Sequence, residues 1–197
     1  MVIKRLFDVV ASALGLLLLS PLLIAVAAWI KLDSSGPVLF KQERVGRFGR
    51  PFLIHKFRTM RMDNAGPQIT VGADARITTA GHFLRASKLD ELPQLWDVLR
   101  GAMSLVGPRP EVPRYVALYP ADLRETVLSV RPGITDLASL EYRDEGVVLA
   151  RAADPERAYV DEVLPAKLAL SARYVREASF FGDMRLILAT LGAILRR

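Results

Sequence analysis

The sequence predicts an α+β fold that is mainly helical, with one β-hairpin, several short amphipathic helices and a broken apolar helix at the N-terminus. Three observations predict it. Residues Val9 to Ile30 carry no charge, and Ser20-Pro21 interrupts them near the middle. Two β-rich runs flank the glycine-bearing stretch Gly46-Arg47-Phe48-Gly49-Arg50. Beyond residue 77 the apolar patterns are short and bounded by proline, glycine or capping residues. At 197 residues the chain suits one domain with attachments rather than two full domains. The expected division is a membrane segment over 1–35 and a second unit over 36–197.

Composition narrows the chemistry. There is no cysteine, which excludes disulfides and thiolate metal sites, and only His55 and His82 are available to a histidine-based one. The formal charge is +6, but residues 1–61 alone hold ten Lys/Arg against three Asp/Glu, net +7, which leaves −1 for the remainder. A basic N-terminal third beside an apolar segment points to an anionic membrane surface or phosphorylated ligands more than to nucleic acid. Mean hydropathy is +0.24, high for a soluble protein.

The uncharged run is long enough for roughly 33 Å of helix, which matches a bilayer core. Its length, and the basic segment that follows it, argue against a cleaved signal peptide. Phe7 and Trp29 mark its ends as interfacial aromatics do. Pro21 cannot donate to the Leu17 carbonyl, so a break is expected there, softened by the Ser20 hydroxyl. Both flanks are basic: Lys4 and Arg5 before, Lys31, Lys41, Arg44, Arg47 and Arg50 after. The positive-inside rule would place both flanks in the cytoplasm. A kinked span and a helix that enters and leaves by one face both remain open on these residues.

The hairpin follows Gly36-Pro37, with runs Val38–Val45 and Phe52–Met60. In the second run, alternation puts Ile54, Lys56 and Arg58 on one face, so the two cations are expected to project together. Residues Asp63–Ala75 read as a polar loop and a candidate mobile lid. Thr78-Thr79 caps a helix through about Ala86 that carries Arg85. Next comes Lys88-Leu89-Asp90-Glu91-Leu92-Pro93-Gln94-Leu95-Trp96. Pro93 suits a first helical turn, which sets Asp90 and Glu91 at or just before a helix N-terminus. Taken alone that pair is an acidic cap; beside cations it is also a place for phosphate. Arg109 stands between Pro108 and Pro110, so its backbone is stiff and its guanidinium suits bidentate phosphate binding.

Beyond this loop, Glu111–Tyr119 and Ala121–Ser129 read as short helices around Pro120, and Arg131-Pro132-Gly133-Ile134-Thr135 as a turn of type II. Leu137–Arg143 is expected to be a short strand or loop. Asp154-Pro155-Glu156 opens a helix that restarts after Pro165 and runs to about Glu177. A last helix from about Phe181 puts Met184, Ile187, Leu188, Leu191 and Leu195 on one stripe, for the core with some membrane contact.

No Walker-type glycine loop, Ser-His-Asp set or metal-histidine cluster is present. The chemistry that uses an Asp-Glu pair among cations is phosphoryl transfer. One carboxylate attacks phosphorus, the other holds Mg²⁺, and Lys and Arg neutralise charge.

At this point the chain resembles the monotopic phosphoglycosyl transferases, or bacterial sugar transferases, in their minimal single-domain form without extra N-terminal spans. The resemblance runs over nearly the whole chain. It rests on Lys4–Asp8, Ser20-Pro21 in the apolar segment, Gly36–Gly46, Lys56-Phe57-Arg58-Thr59-Met60, Leu89–Gln94, Ser104–Pro110 and Arg131–Thr135. It implies a re-entrant membrane helix broken at Ser20 and Pro21, with a catalytic core on the cytoplasmic face of the bacterial inner membrane. Asp90 would attack the sugar-bearing phosphate of a UDP-sugar and expel UMP, and Glu91 would hold Mg²⁺. Lys56, Arg85 and Arg109 match phosphate-binding positions, with Arg58 and Lys88 beside them. Arg143 stands where the family contacts the nucleotide, and Ser171, with Asp161 nearby, where some relatives carry a functional Asp. The sugar phosphate would pass to undecaprenyl phosphate, the first membrane step of surface glycoconjugate assembly. Two other readings are a membrane-bound phosphatase with an Asp nucleophile and a non-enzymatic adaptor that binds anionic lipid.

Overall fold

A computed structural model describes residues 2–62, 74–141 and 149–196. The expected polar loop, apart from Asp74 and Ala75, and the expected nucleotide contact Arg143 lie outside the described residues.

The chain opens with two helices, α1 (Val2–Leu18) and α2 (Ser20–Asp33), bent by 61° about Leu19. The break follows from Pro21 as expected. The Leu17 carbonyl that proline cannot serve accepts instead from the Ser20 hydroxyl, at 2.7 Å. Among the described residues no single helix is long and apolar enough to cross a membrane; the bent pair together is. One face of α1 is polar and inward. Asp8 and Ser12 are buried, while Val10, Leu14, Leu17 and Leu18 are exposed.

Strands β1 (Leu39–Val45) and β2 (Pro51–Phe57) form the antiparallel hairpin, with Leu39 opposite Phe57 and Val45 opposite Pro51. Phe48 sits at the tip with φ 59°, followed by Gly49 at φ 74°. Helix α3 (Thr79–Ser87) is capped by the Thr78 side chain, which accepts from the Gly81 amide. A tight helical turn Leu89–Glu91 leads into α4 (Gln94–Arg100), which ends on Gly101 at φ 88°.

Among the described residues the remainder is mainly helical, with two three-residue strands. These are β3 (Ser104–Val106) and β4 (Gly133–Thr135), paired in parallel with Ser104 opposite Gly133 and Val106 opposite Thr135. Between them lie α5 (Pro113–Val116) and α6 (Ala121–Leu128). After them come α7 (Leu137–Glu141), α8 (Pro155–Ala158), a wide helical turn Tyr159–Val163, α9 (Leu164–Glu177) and α10 (Phe180–Leu195). Asp154 caps α8 through the amides of Glu156 and Arg157.

Two local expectations are corrected. Gly133 does not serve a type II turn. A Cβ there would stand 2.1 Å from the Gly107 amide nitrogen, and one on Gly107 would stand 2.5 Å from the Arg131 carbonyl oxygen. Both glycines let two backbones close on each other, which is what pairs β3 with β4. Leu137–Glu141 is helical rather than strand or loop, because Asp136 Oδ1 accepts from the Ser139 amide at 2.8 Å and so starts a helix.

Among the described residues the apolar interior falls into three clusters. Val26 and Ile30 of α2 meet Phe57, Ala80 and Leu84. Ile54 meets Val98 and Met103 behind β2. Tyr115, Val127, Tyr159, Leu164 and Leu168 hold the C-terminal helices together. Of the α10 stripe, Met184 and Ile187 are half-buried, and Leu188 and Leu191 face outward.

Candidate functional site

The centre of the site is the turn Leu89–Glu91. Lys88 ends α3 in the left-handed region, at φ 59° and ψ 13°. A lysine there carries a cost of about 1–2 kcal/mol, which the surrounding packing must offset. The reversal turns the chain inward, so Asp90 and Glu91 are buried at 8% and 9% exposure. Two adjacent carboxylates this far from solvent are held only where charge is neutralised.

Glu91 is neutralised directly. Its Oε1 lies 3.0 Å from Lys56 Nζ and 2.5 Å from Arg109 Nη2, and its Oε2 lies 3.4 Å from Arg109 Nη1. Burial by itself would push Glu91 up. The charges of Arg109 and Lys56 and the Arg109 hydrogen bonds outweigh it and hold Glu91 well below the usual carboxylate range. Asp90 goes the other way. Burial and then the neighbouring Glu91 charge raise it, against the pull of Lys56, Lys88 and Arg85. Its Oδ1 has no hydrogen-bond partner among the described residues. Burial also lowers Lys56, partly offset by Glu91.

The supporting elements are fixed from outside the site. His55, beside Lys56 on β2, donates its amide to Asp97 Oδ2 at 2.9 Å, and its Nδ1 lies 2.7 Å from Asp97 Oδ1. This locks β2 to α4. Arg5 on α1 donates to the carbonyls of Val98 and Leu99, satisfying the C-terminal end of α4. Asp8 accepts from Ser104 Oγ at 2.8 Å and from the Leu105 amide at 3.2 Å, joining α1 to β3.

The Arg109 loop is clamped on both sides. Its amide donates to Asp136 Oδ2 at 3.3 Å. Beyond it, Glu111 Oε1 pairs with Arg44 Nη1 at 3.0 Å, and Glu111 Oε2 accepts from the Tyr159 hydroxyl at 2.6 Å. Arg44 Nη1 also donates to the Pro110 carbonyl at 3.1 Å. The side chain of Arg109 remains one-third exposed, at 34%.

Of the residues expected from sequence, the fold brings Lys56, Asp90, Glu91 and Arg109 into contact or adjacency, with Arg85 and Lys88 close enough to act on Asp90 by charge. Arg58 does not project with Lys56. Strand β2 ends at Phe57, and the Arg58 guanidinium, 1% exposed, turns to the C-terminal end of α2. There Nη2 donates to the Ser34 carbonyl at 2.8 Å and to Ser34 Oγ at 3.0 Å, and Nη1 donates to the Ser35 carbonyl. It fastens the apolar helix pair to the hairpin. Ser20 and Pro21 form the helix break, as expected.

The late acidic position is also resolved in space. Asp161 is exposed and pairs with Arg157 at 3.3 Å, while Ser171 is buried on α9. The buried acid of this region is Asp183. It pairs with Lys4 and accepts from the Tyr174 hydroxyl at 2.8 Å, and Lys4 also donates to the Val106 carbonyl at 3.0 Å. Sequence reasoning passed over Asp183 and Glu111. The available signal for Asp183 was an acid in the first turn of an otherwise apolar helix, behind the Ser179 cap.

Among the described residues no group of three or more His, Cys, Asp or Glu side chains is placed to hold a metal ion by itself. A hard cation that uses substrate oxygens needs less, one or two carboxylates. Here Glu91 is kept ionised, and Asp90 has one oxygen without a partner among the described residues.

Comparison with known proteins gives the family. The family model described as bacterial sugar transferase matches residues 1–197. A UDP-glucose:undecaprenyl-phosphate glucose-1-phosphate transferase of Caulobacter vibrioides is 39% identical over 196 residues, covering 98% of this chain and 69% of that protein. A UDP-N-acetylgalactosamine-undecaprenyl-phosphate N-acetylgalactosaminephosphotransferase of Aeromonas hydrophila is 36% identical over 197 residues, 98% of this chain and 44% of that protein. An exopolysaccharide production protein of Rhizobium leguminosarum bv. phaseoli is 40% identical over 208 residues, 100% of this chain and 97% of that protein. The chain therefore spans less than half of one of these relatives and nearly all of another.

Proposed function

This chain belongs to the bacterial sugar transferase family, and on that premise we propose that it moves a sugar 1-phosphate from a UDP-sugar to undecaprenyl phosphate. The observation that carries the reading is the split between neighbours. Glu91 is clamped by Lys56 and Arg109, and Asp90 is buried with an oxygen that has no partner among the described residues.

In the first half-reaction an Asp90 carboxylate oxygen attacks the phosphorus that bears the sugar. The bond from that phosphorus to the oxygen bridging toward the uridine breaks, and UMP leaves with the electron pair. In the second, an oxygen of undecaprenyl phosphate attacks the same phosphorus. The acyl-phosphate bond breaks, and Asp90 regains its carboxylate. The raised affinity of Asp90 for a proton marks a carboxylate poorly solvated, hence more reactive, at its site. Arg109 and Lys56 reach charge on phosphate oxygens without moving far, because Glu91 already holds both ends together. Arg85 and Lys88 add positive field from the α3 side.

Mg²⁺ belongs to this reading. Glu91 would hold it together with phosphate oxygens of the substrate, and it would supply charge neutralisation on the transferring group. The re-entrant anchor belongs to it as well. The 61° bend, basic residues on both flanks and the Arg58 fastening at the end of α2 support entry and exit by one membrane face. In this reading the unit over 36–197 lies at the cytoplasmic face of the inner membrane, beside a polyprenyl phosphate headgroup.

The test is the purified protein in detergent with Mg²⁺, undecaprenyl phosphate and a panel of UDP-sugars. UMP and a lipid-linked sugar diphosphate are expected. Release of UDP, or full activity of Asp90→Asn, overturns the mechanism. A tag before Lys4 that proves periplasmic overturns the topology.

A further inference from the structure

One face of the hairpin presents Phe40, Gln42 and Arg44 along β1 and Phe52, Ile54 and Lys56 along β2. All but Phe40 are engaged. Phe52 and Ile54 pack with Val98 and Met103. Arg44 Nη2 donates to Gln42 Oε1 at 2.7 Å, and Arg44 Nη1 reaches Glu111. Lys56 meets Glu91. Phe40, 39% exposed, joins none of the apolar clusters and no aromatic pair among the described residues.

An exposed phenylalanine by itself says nothing; the place of this one does. Phe40 stands directly opposite Lys56 in the register and on the same face, so their Cβ atoms are about 4.5–5.5 Å apart. It therefore flanks the cation that holds Glu91. Its neighbour Leu39 and the opposing Phe57 turn to the other face and pack with Val26 and Ile30 of α2. The Phe40 end of the hairpin is thus the end fastened to the apolar helix pair, and the tip at Phe48 is the far end. A cation on one side and the anchor on the other suit an amphiphile, with its phosphate toward Lys56 and its hydrocarbon over the ring.

We propose that Phe40 binds the acceptor lipid: its ring receives the first isoprene units of the polyprenyl phosphate while the phosphate lies toward Lys56. The assignment rests on the reaction given above. Phe40 forms no bond with the reacting atoms. It orients the lipid by apolar contact, so that a phosphate oxygen faces the phosphorus carried on Asp90. The UDP-sugar is water-soluble and needs no apolar contact at the anchored end of the hairpin.

The experiment is Phe40→Thr and Phe40→Leu in the full chain in detergent. Each is read by single-turnover UMP release without acceptor, by the KM for UDP-sugar and for undecaprenyl phosphate, and by thermal unfolding. Phe40→Thr keeps a strand-forming residue and removes the ring. It is expected to raise the KM for undecaprenyl phosphate roughly 5- to 30-fold. A phosphate ester of a two-isoprene alcohol should show the same rise, because the contact is with the first units. Leucine keeps an apolar contact and is expected to recover most of the loss. An unchanged KM for undecaprenyl phosphate overturns the assignment. So does an equal rise in the KM for UDP-sugar, which makes Phe40 a nucleotide contact. A rise confined to the long lipid overturns it too, since the ring then meets only the surrounding detergent or bilayer. Should Phe40→Thr fail to fold, Phe40→Gln, which keeps bulk along the strand, is read in the same way. An unaltered protein that releases no UMP from any UDP-sugar is a separate outcome: the reaction itself then fails, and this assignment with it.

Discussion

Asp90 and Glu91 are consecutive, equally buried and electrostatically opposite. Glu91 is held well below the ordinary carboxylate range by Arg109 and Lys56 against its burial, whereas burial and the Glu91 charge raise Asp90. One turn thus favours the charged form of one acid and disfavours that of its neighbour.

Replacing the two acids should move stability in opposite directions. The folded-state pKa of Asp90 is raised, so its ionisation opposes folding once pH exceeds the unfolded value. Asp90→Asn is therefore expected to raise Tm at neutral pH while abolishing turnover. For Glu91 the folded value is depressed. Its contribution is present above the unfolded pKa and is lost as pH falls through the folded one. Glu91→Gln is expected to cost on the order of 2 kcal/mol at neutral pH, at the lower end for a broken ion pair because Arg109 is partly exposed. Thermal unfolding of both variants at pH 7 and pH 4 checks this. An unchanged or lowered Tm in Asp90→Asn counts against it.

The pH dependence of UMP release follows from the same pair. Asp90 attacks only as a carboxylate, so the acid limb should lie above the ordinary aspartate range. Lys56 is among the cations that lower Asp90, and its removal leaves the carboxylate less favoured. Lys56→Met is expected to shift the acid limb to higher pH as well as reduce the plateau. A limb that stays in place would mean that Lys56 does not act on the nucleophile.

Arg58→Met should damage the fold rather than the affinity for substrate. The guanidinium serves the Ser34 and Ser35 carbonyls at the end of α2. Loss of these charge-assisted bonds is expected to cost about 2–3 kcal/mol. Denaturant unfolding in detergent measures it. A large rise in KM at unchanged stability would instead return Arg58 to the phosphate site.

Tyr159→Phe removes one hydroxyl and leaves Glu111 Oε2 without its donor. The expected cost is about 1–2 kcal/mol of stability. Because Glu111 also holds Arg44 against the Pro110 carbonyl, a several-fold rise in the KM for UDP-sugar should accompany it. An unaltered KM at the same loss of stability would make the Tyr159 bond purely structural.

Glycine positions separate cleanly. Gly133→Ala would drive a Cβ into the Gly107 backbone and is expected to prevent folding. Gly192 on α10 has open space around it, and alanine there should add roughly 0.5–1 kcal/mol. Expression and thermal unfolding of the two variants give the comparison.

Much of this was legible in order along the chain. Ser20-Pro21 announced a break, and the structure puts the Ser20 hydroxyl on the very carbonyl that Pro21 leaves unserved. Thr78 and Asp154 announced their helices, and the hairpin formed around its glycine-bearing turn. Lys56, Asp90, Glu91 and Arg109 were identifiable as a group from charge, proline placement and resemblance. These features depend on residues within a turn or two of one another, where dihedral preferences and capping act.

What the sequence by itself determined is the local layer: a broken apolar helix, a hairpin, short capped helices and an acid pair beside cations. Only the tertiary structure decided which cation met which partner. Alternation put Lys56 and Arg58 on one face, yet one closed on Glu91 and the other on the end of α2, because those partners arrive from 35 residues ahead and 24 behind. The same holds for β3 with β4 and for Lys4 with Asp183. Pairings of that separation follow from how whole elements pack, and no local preference encodes them.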